Sequence, residues 1–463
     1  MKKHELEFHK YIIFSIYMES GSLAWHLMQE GKDVVIAQVQ DLRTVGVKEA
    51  EDPTLKKKRL EPYNGILKKA KAEKMIEEMA KIPNKDEYFV IFDFNSLHPY
   101  AEKASKMGFR HGIFPTKYDY ELENDRAWAK EFVMKHYPDL KVAEVEEFKS
   151  IDDGIEMVEE SEEFWALKGN DVSCQTVVPC CTNLEFAKAE IIDALRSHKE
   201  DYERKGFILE RQIRGGVEFC PQVIFYDGEP VAHSVDLENK AIGPGNVGIK
   251  LGCAMNVVAE IDADSEVIER AFPPAMQKLA KLHKGLFYSD SNIIMKDGEY
   301  YYLEFCQNRF GYDAIQTECE MAGGVSKYFE ALANKESPYE RKFGAAVRGV
   351  NMHRDGKGYV MGDMRMRWDP ESEPHIWPYD VHQDDKGGYA NSGYEWELLS
   401  VFTGSSDDLE FAIIKCYEAV ENFSFDEMYY RSHGDFIDRS YHGNILDRYD
   451  SIKGIISSAV EEE

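Results

Sequence analysis

Two carboxylates on adjoining segments, Asp290 and Glu304, have the type and spacing to hold a metal ion. The stretch from Gly298 to Asp313 reads GEYYYLEFCQNRFGYD. If residues 300 to 306 are extended, Tyr302, Glu304 and Cys306 point one way, while Tyr301, Leu303 and Phe305 point the other. Asp297-Gly298 is a strong two-residue turn signal that folds the preceding FYSDSNIIM back alongside. That pairing sets Asp290 opposite residues 304 to 305. Hard oxygen ligands converging in this way suit Mg²⁺ carrying the phosphates of a nucleotide, with positions left for water and substrate. The alternative is a charged pair on the exposed face of a hairpin.

The elements around this hairpin follow from composition and pattern. At 463 residues the chain calls for about three domains. Its 43% hydrophobic and 30% charged content is that of a globular protein. Residues 9 to about 118 alternate strand and helix: YIIFSIYM, a helix over Gly21–Glu30, VVIAQVQ, a helix over 66–82, YFVIFDF and a helix over Pro99–Met107. Such alternation predicts a parallel α/β sheet that binds ligand at the carboxyl ends of its strands. Residues 119–335 are α+β in character. Strands are expected at 164–168, 207–213, 222–227, 286–295 and 299–305, and helices at 125–136, 183–198 and 264–284. Residues 336–463 read as a small mixed α/β domain, with strands near 345–351 and 395–403 and a helix at 407–421.

Other classes are set aside by charge and cysteine usage. A net charge of −29 argues against a nucleic-acid surface, and Lys56-Lys57-Lys58-Arg59 is an isolated basic run. No apolar run approaches the roughly 18 to 20 residues of a membrane span. The N-terminal MKKHELEFHKYIIFSIYM is interrupted by Glu5 and Glu7 and lacks a small-residue cleavage site, so it reads as a first strand in a cytoplasmic protein. Eight cysteines form no C-x-x-C pair; a zinc site from Cys174, Cys180 and Cys181 is a minor alternative.

Several segments resemble, in order, those of glycinamide ribonucleotide synthetase (phosphoribosylamine–glycine ligase), an ATP-grasp family. LEFCQNRFG at 303–311 is similar to its EFNxRFGDPE block. GSLAWHL at 21–27, GIFPT at 112–116, LENDRAWAKEF at 122–132, FWALK at 164–168, FILERQIRGGVE at 207–218 and AIGPGNVGIKLG at 241–252 resemble further blocks. Residues 396–421 and 430–435 resemble the closing ones. The resemblance spans roughly residues 11 to 440. It implies an ATP-grasp fold comprising an N-terminal domain (1–118), an ATP-binding body (119–335, with a lid near 135–206) and a C-terminal domain (336–463).

The activity it implies is ATP-dependent carboxylate–amine ligation through an acyl phosphate, with Mg²⁺ or Mn²⁺. The partners would be an amino acid such as glycine and an amine acceptor, with neither nucleic acid nor membrane, in a monomer or homodimer. Carried over residue by residue, Arg126 and Lys168 would meet phosphate. The backbone at Glu210, Arg211 and Ile213 would read adenine, and Glu218 would bind ribose or the metal shell. Lys240 and Lys250, flanking the GPGNVG loop, would contact phosphate or the substrate carboxylate, and Arg309 would lie on the substrate side. Asp290, Glu304 and Asn308 would ligate the metal.

Three departures stand out. Cys306 replaces the usual metal Asn and is a poor ligand for Mg²⁺. Asn308 lies four residues beyond Glu304, about 13 Å along a strand, so only a bulge at Cys306-Gln307 returns it to the metal. The first loop, Ser15 to Gly21, has one glycine, no arginine and Glu19 where an anion would approach, and Phe92 to Leu97 replaces a second conserved loop. These departures leave two alternatives to the family's own reaction: a different amine acceptor, or a nucleotide-binding protein that has lost catalysis.

Overall fold

The computed structural model describes residues 5–39, 61–170, 176–272, 274–308, 313–354, 360–393, 398–433, 439 and 444–457. The N-terminal region is the expected parallel sheet. Its strands are β1 (Lys10–Ser15), β2 (Asp33–Gln38), β3 (Lys68–Lys71), β4 (Tyr88–Phe92) and β5 (Gly112–Ile113), in the order β5-β4-β1-β2-β3. Apolar runs such as YIIF and FVIF are buried, as strands covered on both faces require. Phe14 and Phe92, the last apolar residues of β1 and β4, stack with ring centroids 4.6 Å apart. The helix expected over 66–82 is instead β3 followed by a helix at Ala72–Met79. KKAK pairs parallel with β2, and its exposed lysines suit an edge strand.

The middle of the chain builds two sheets. Sheet one is small and antiparallel, with β7 (Val145–Phe148) and β8 (Trp165–Gly169) flanking a central β9 (Phe207–Arg211). The other continues the N-terminal sheet through β10 (Val217–Tyr226), β11 (Glu229–Gly243), β12 (Val247–Glu260), β13 (Leu286–Lys296) and β14 (Glu299–Gln307). Short β6 (Leu140–Val142) lies beside β14. The single helix expected over 264–284 is two, Glu266–Ala271 and Pro274–Ala280. Pro274 has no N–H with which to continue the first, so it opens the second.

In the last third, β15 (Phe343–Asn351) pairs with β12, and β17 (Ile376–Pro378), β20 (Leu398–Ser406) and β22 (Met428–Tyr430) extend that same sheet. Four short strands, β16 (Arg365–Trp368), β18 (His382–Gln383), β19 (Tyr389–Ala390) and β21 (Phe423–Ser424), pair apart from it. The helix Leu409–Glu421 is started by Asp408, which accepts from Phe411 N at 3.0 Å. No helix among the described residues is long and apolar enough to cross a membrane.

Candidate functional site

Two lysines from different elements converge on one carboxylate beside the small sheet. Asp125 caps the helix Arg126–His136 by accepting from Trp128 N, and the i,i+4 spacing sets Arg126 and Lys130 on one face of it. Lys168 comes from β8, and Glu210 from the central strand β9. The Lys168 ammonium donates to Glu210 Oε1 at 2.7 Å, and Lys130 donates to the other oxygen. All three side chains are buried, Glu210 to 3% exposure. Burial pushes the Glu210 carboxyl up, but Lys168 and then Lys130 outweigh it and hold it below the usual range. For Lys130, burial dominates and lowers its pKa despite Glu210. Arg126 lies close enough to lower Lys130 further, and its Nη1 is 3.7 Å from Glu304 Oε2. Three cations thus face two carboxylates, a local positive surplus in a chain of net charge −29.

The Asp297-Gly298 turn forms as expected, with Lys296 opposite Glu299 and positive φ at both turn residues (53° and 76°). The register beyond it differs from the sequence reading. Ile293 faces Tyr302 while Asn292 faces Glu304, so Leu303 is an extra residue, a β-bulge. Asp290 therefore sits opposite Cys306, not opposite residues 304 to 305. The bulge also breaks the expected alternation. Tyr302 packs in the core with Phe305, ring centroids 4.8 Å apart, while Glu304 and Cys306 stay partly exposed.

From Glu304 to Gln307 the ladder is regular, so no bulge at Cys306-Gln307 returns Asn308 to the metal. Asn308 instead takes φ 48°, is fully buried, accepts from Tyr288 N at 2.9 Å and donates to Asp119 at 3.0 Å. Asp119 also meets His283 at 2.9 Å, so Asn308 anchors a buried network.

The strand face carrying Asp290 is acidic. Gln222 of β10 faces Asp290 and donates to its Oδ2 at 3.4 Å, whereas Asp290 Oδ1 is buried with no hydrogen-bond partner among the described residues. Burial, then Glu238, pushes the Asp290 carboxyl well above the usual range, and Glu304 adds to this. Asp236 on β11, 2% exposed, is pushed up by burial and then by Glu238 and Asp290. Lys240 lies 3.7 Å from Glu238 and 3.8 Å from Glu218. Among the described residues no three His, Cys, Asp or Glu side chains form a ready metal cage. An orphaned carboxylate oxygen on Asp290, with Glu304 on the same strand face, fits a divalent cation that draws its remaining ligands from phosphate and water.

The other expected residues are dispersed. Arg211 is exposed and pairs with Glu163 at 2.7 Å. Its N–H is taken by Glu144 O and that of Gln212 by Phe164 O, and Ile213 follows, beyond the last paired residue of β9. Lys250 is exposed on β12, opposite Ala241. Arg309, Cys174 and Lys56–Arg59 lie outside the described residues. Sequence reading missed Lys130, although its i,i+4 spacing from Arg126 was a usable signal. It also missed Asp236, Glu238 and the pair in which Arg348 Nε donates to Asp313 at 2.7 and 3.0 Å. No short motif marks that pair, because 35 residues separate its members.

Comparison with protein-family models finds no match, and no curated protein matches the sequence. Solved structures do. Phosphoribosylamine–glycine ligase from Thermotoga maritima superposes with a TM-score of 0.62 at 16% identity, covering 91% of this chain and 99% of that one. The biotin carboxylase domain of the Hydrogenobacter thermophilus 2-oxoglutarate carboxylase, solved with MgADP and bicarbonate, gives 0.56 at 14%, covering 98% and 100%. The L-amino acid ligase of Bacillus licheniformis gives 0.52 at 12%, covering 91% and 99%. The separate three-stranded antiparallel sheet, the large mixed sheet and these superpositions lead to one structural conclusion: this chain has the ATP-grasp fold, in a form far diverged in sequence.

Proposed function

We propose that this protein is an ATP-dependent carbon–nitrogen ligase that activates a carboxylate as an acyl phosphate and passes it to an amine. The observation that carries this reading is the positive surplus at Arg126, Lys130, Lys168 and Glu210, set beside the carboxylates Asp290 and Glu304. A buried cluster with more cations than carboxylates is stabilised by an anion, and polyphosphate is the anion that also needs a carboxylate-held metal. The Hydrogenobacter domain that shares this fold was solved with MgADP, which supports a magnesium-bound adenine nucleotide as the ligand.

In this reading Lys130, Lys168 and Arg126 hold the phosphate oxygens, and Glu210 keeps the two lysines in place. Of the backbone expected to read adenine, Ile213 lies beyond the paired residues of β9 and borders the base, because the N–H of Arg211 is already taken by Glu144 O. A divalent cation, Mg²⁺ or Mn²⁺, held by Asp290 and Glu304, would supply Lewis-acid stabilisation of the phosphates. A carboxylate oxygen of the substrate attacks the γ-phosphorus, the β–γ bridging P–O bond breaks, and ADP leaves. The amine nitrogen then attacks the acyl carbon, inorganic phosphate departs, and the nitrogen loses a proton to give the amide. The positive groups act by spreading charge on the transferring phosphoryl group, and no side-chain nucleophile is needed.

The resemblance implies glycine as the carboxylate and phosphoribosylamine as the amine. The test is phosphate release from ATP across a panel of amino acids and amines, with calorimetric titration of ATP beside it. Release that requires both an amino acid and an amine is the expected result. ATP binding without release for any pair would reduce the protein to a nucleotide binder.

A further inference from the structure

In an open α/β sheet, ligands bind outside the carboxyl ends of the strands where the strand order reverses. Here that point lies between β1 and β4, because β1 pairs with β2 on one side and β4 on the other. The loop leaving β1 leads into the helix Gly21–Gln29, so its amides would serve an incoming anion. Two of these amides are already taken by a side chain. Asp93, the first residue after β4, is fully buried and accepts from the Ser15 hydroxyl, from Ile16 N at 3.1 Å and from Ser20 N at 3.4 Å. The loop is wound tightly around it: Tyr17 and Met18 take φ of 55° and 59°, values unusual for side chains of their size. The stacked Phe14 and Phe92 fix the two strand ends that face each other.

The helix end is sealed from its other side as well. Ser20, Gly21 and Ser22 are all buried, and Ser22 Oγ accepts from Gln316 at 2.8 Å. A Cβ on Gly21 would lie 2.1 Å from the Tyr63 ring. Tyr63 is itself fully buried and donates its hydroxyl to Pro378 O. Beside this plug, Glu19 lies near enough to Tyr63, Tyr379 and Asp93 to act on all three. Glu19 therefore adds negative potential beside the plug.

We propose that Asp93 is a specificity-determining residue that occupies the place of a ligand phosphate, so that the amine accepted at these strand ends carries no phosphate group. The word amine rests on the ligase reading above; the exclusion of phosphate does not. Titration of ribose 5-phosphate into the wild-type protein, with ADP and Mg²⁺ saturating so that the nucleotide cleft is closed to it, tests the exclusion directly. No binding up to millimolar concentration is expected. Asp93→Gly, which vacates the hole, should gain at least tenfold in affinity for the same probe.

Micromolar binding by the wild type overturns the proposal, and so does a folded Asp93→Gly protein with no gain. If that variant does not fold, the wild-type titration decides by itself. A turnover arm compares a phosphorylated primary amine with its unphosphorylated counterpart, and faster release with the phosphorylated one also overturns the proposal. Failure of ADP to bind would instead strike the ligase reading and leave the titration without ADP to judge the loop.

Discussion

The loop after β1 and the lysine pair beside β9 both gather donors around a buried carboxyl group, yet their charge balance is opposite. At the loop, two amides and a hydroxyl surround Asp93, with Glu19 close by, so no positive charge is left over. At the lysine pair, Lys130 and Lys168 share Glu210, and Arg126 adds a third cation near Glu304. Both places have geometry that suits an anion. Only one has charge left over for it. Convergent donors alone thus do not mark a ligand site; the residual charge after internal pairing does, because an unpaired buried charge is far costlier than an unfilled amide.

The sharpest way to break this contrast is Glu210→Gln, which leaves two buried ammonium groups without their shared carboxylate. Removing one partner of a buried ionic group costs about 3–5 kcal/mol, so urea unfolding should show a loss of that size. Saturating ATP should restore more stability to the variant than to the wild type. An unchanged unfolding midpoint would mean that Glu210 does not hold the lysines. Next in size is Glu304→Gln. If Glu304 carries the cation, Mg²⁺-dependent phosphate release should be abolished with an unaltered circular dichroism spectrum. Full activity would remove the two-carboxylate metal site.

A smaller effect is expected for Lys168→Ala. Loss of a charge-assisted contact of about 1.5–3 kcal/mol should weaken ATP roughly tenfold or more, while Ser15→Ala leaves ATP affinity as it was. Equal losses in both variants would erase the distinction between the two regions.

The fold and the place of Lys168 on β8 were legible because their signals are local. FWALK ends an apolar run in a lysine, and strand alternates with helix through the first hundred residues. Asp297-Gly298 likewise set its hairpin from two residues alone. What was not legible depended on pairing between distant segments. The bulge at Leu303 moves Asp290 from the expected place opposite residues 304 to 305 to one opposite Cys306, and nothing in YYYLEFCQ fixes which residue is extra. Asn308 resembled a metal ligand in type, but Asp119, 189 residues earlier, and the backbone of Tyr288 hold its side chain. Asp93 was read only as part of a replaced loop. Its role appeared when β4 was seen beside β1, 78 residues away. KKAK read as helix because lysine and alanine favour one, and its pairing with β2 overrides that preference.

The mildest test of the contrast uses pH and Asp93→Asn, which keeps the shape of the plug and removes its titration. Burial is the largest influence on Asp93 and pushes its carboxyl well above the usual range; Glu19 pushes the same way, while Ser15 and the amides of Ile16 and Ser20 pull it down. In the unfolded chain the same carboxyl titrates near about 3.9. Between that value and the higher folded one, the folded protein holds more protons than the unfolded, so stability falls as pH rises through this window. One whole proton of difference corresponds to about 1.4 kcal/mol per pH unit. Asp236, Glu238, Glu260, Asp290 and Glu318 are shifted in the same direction, so the wild-type slope is shared with them. The difference between wild type and Asp93→Asn isolates the loop: the variant should lose less stability than the wild type on going from acidic to neutral pH. Parallel curves for the two proteins would show that Asp93 is as easily ionised in the fold as outside it, and the plug would then be a carboxylate anion that burial does not keep protonated.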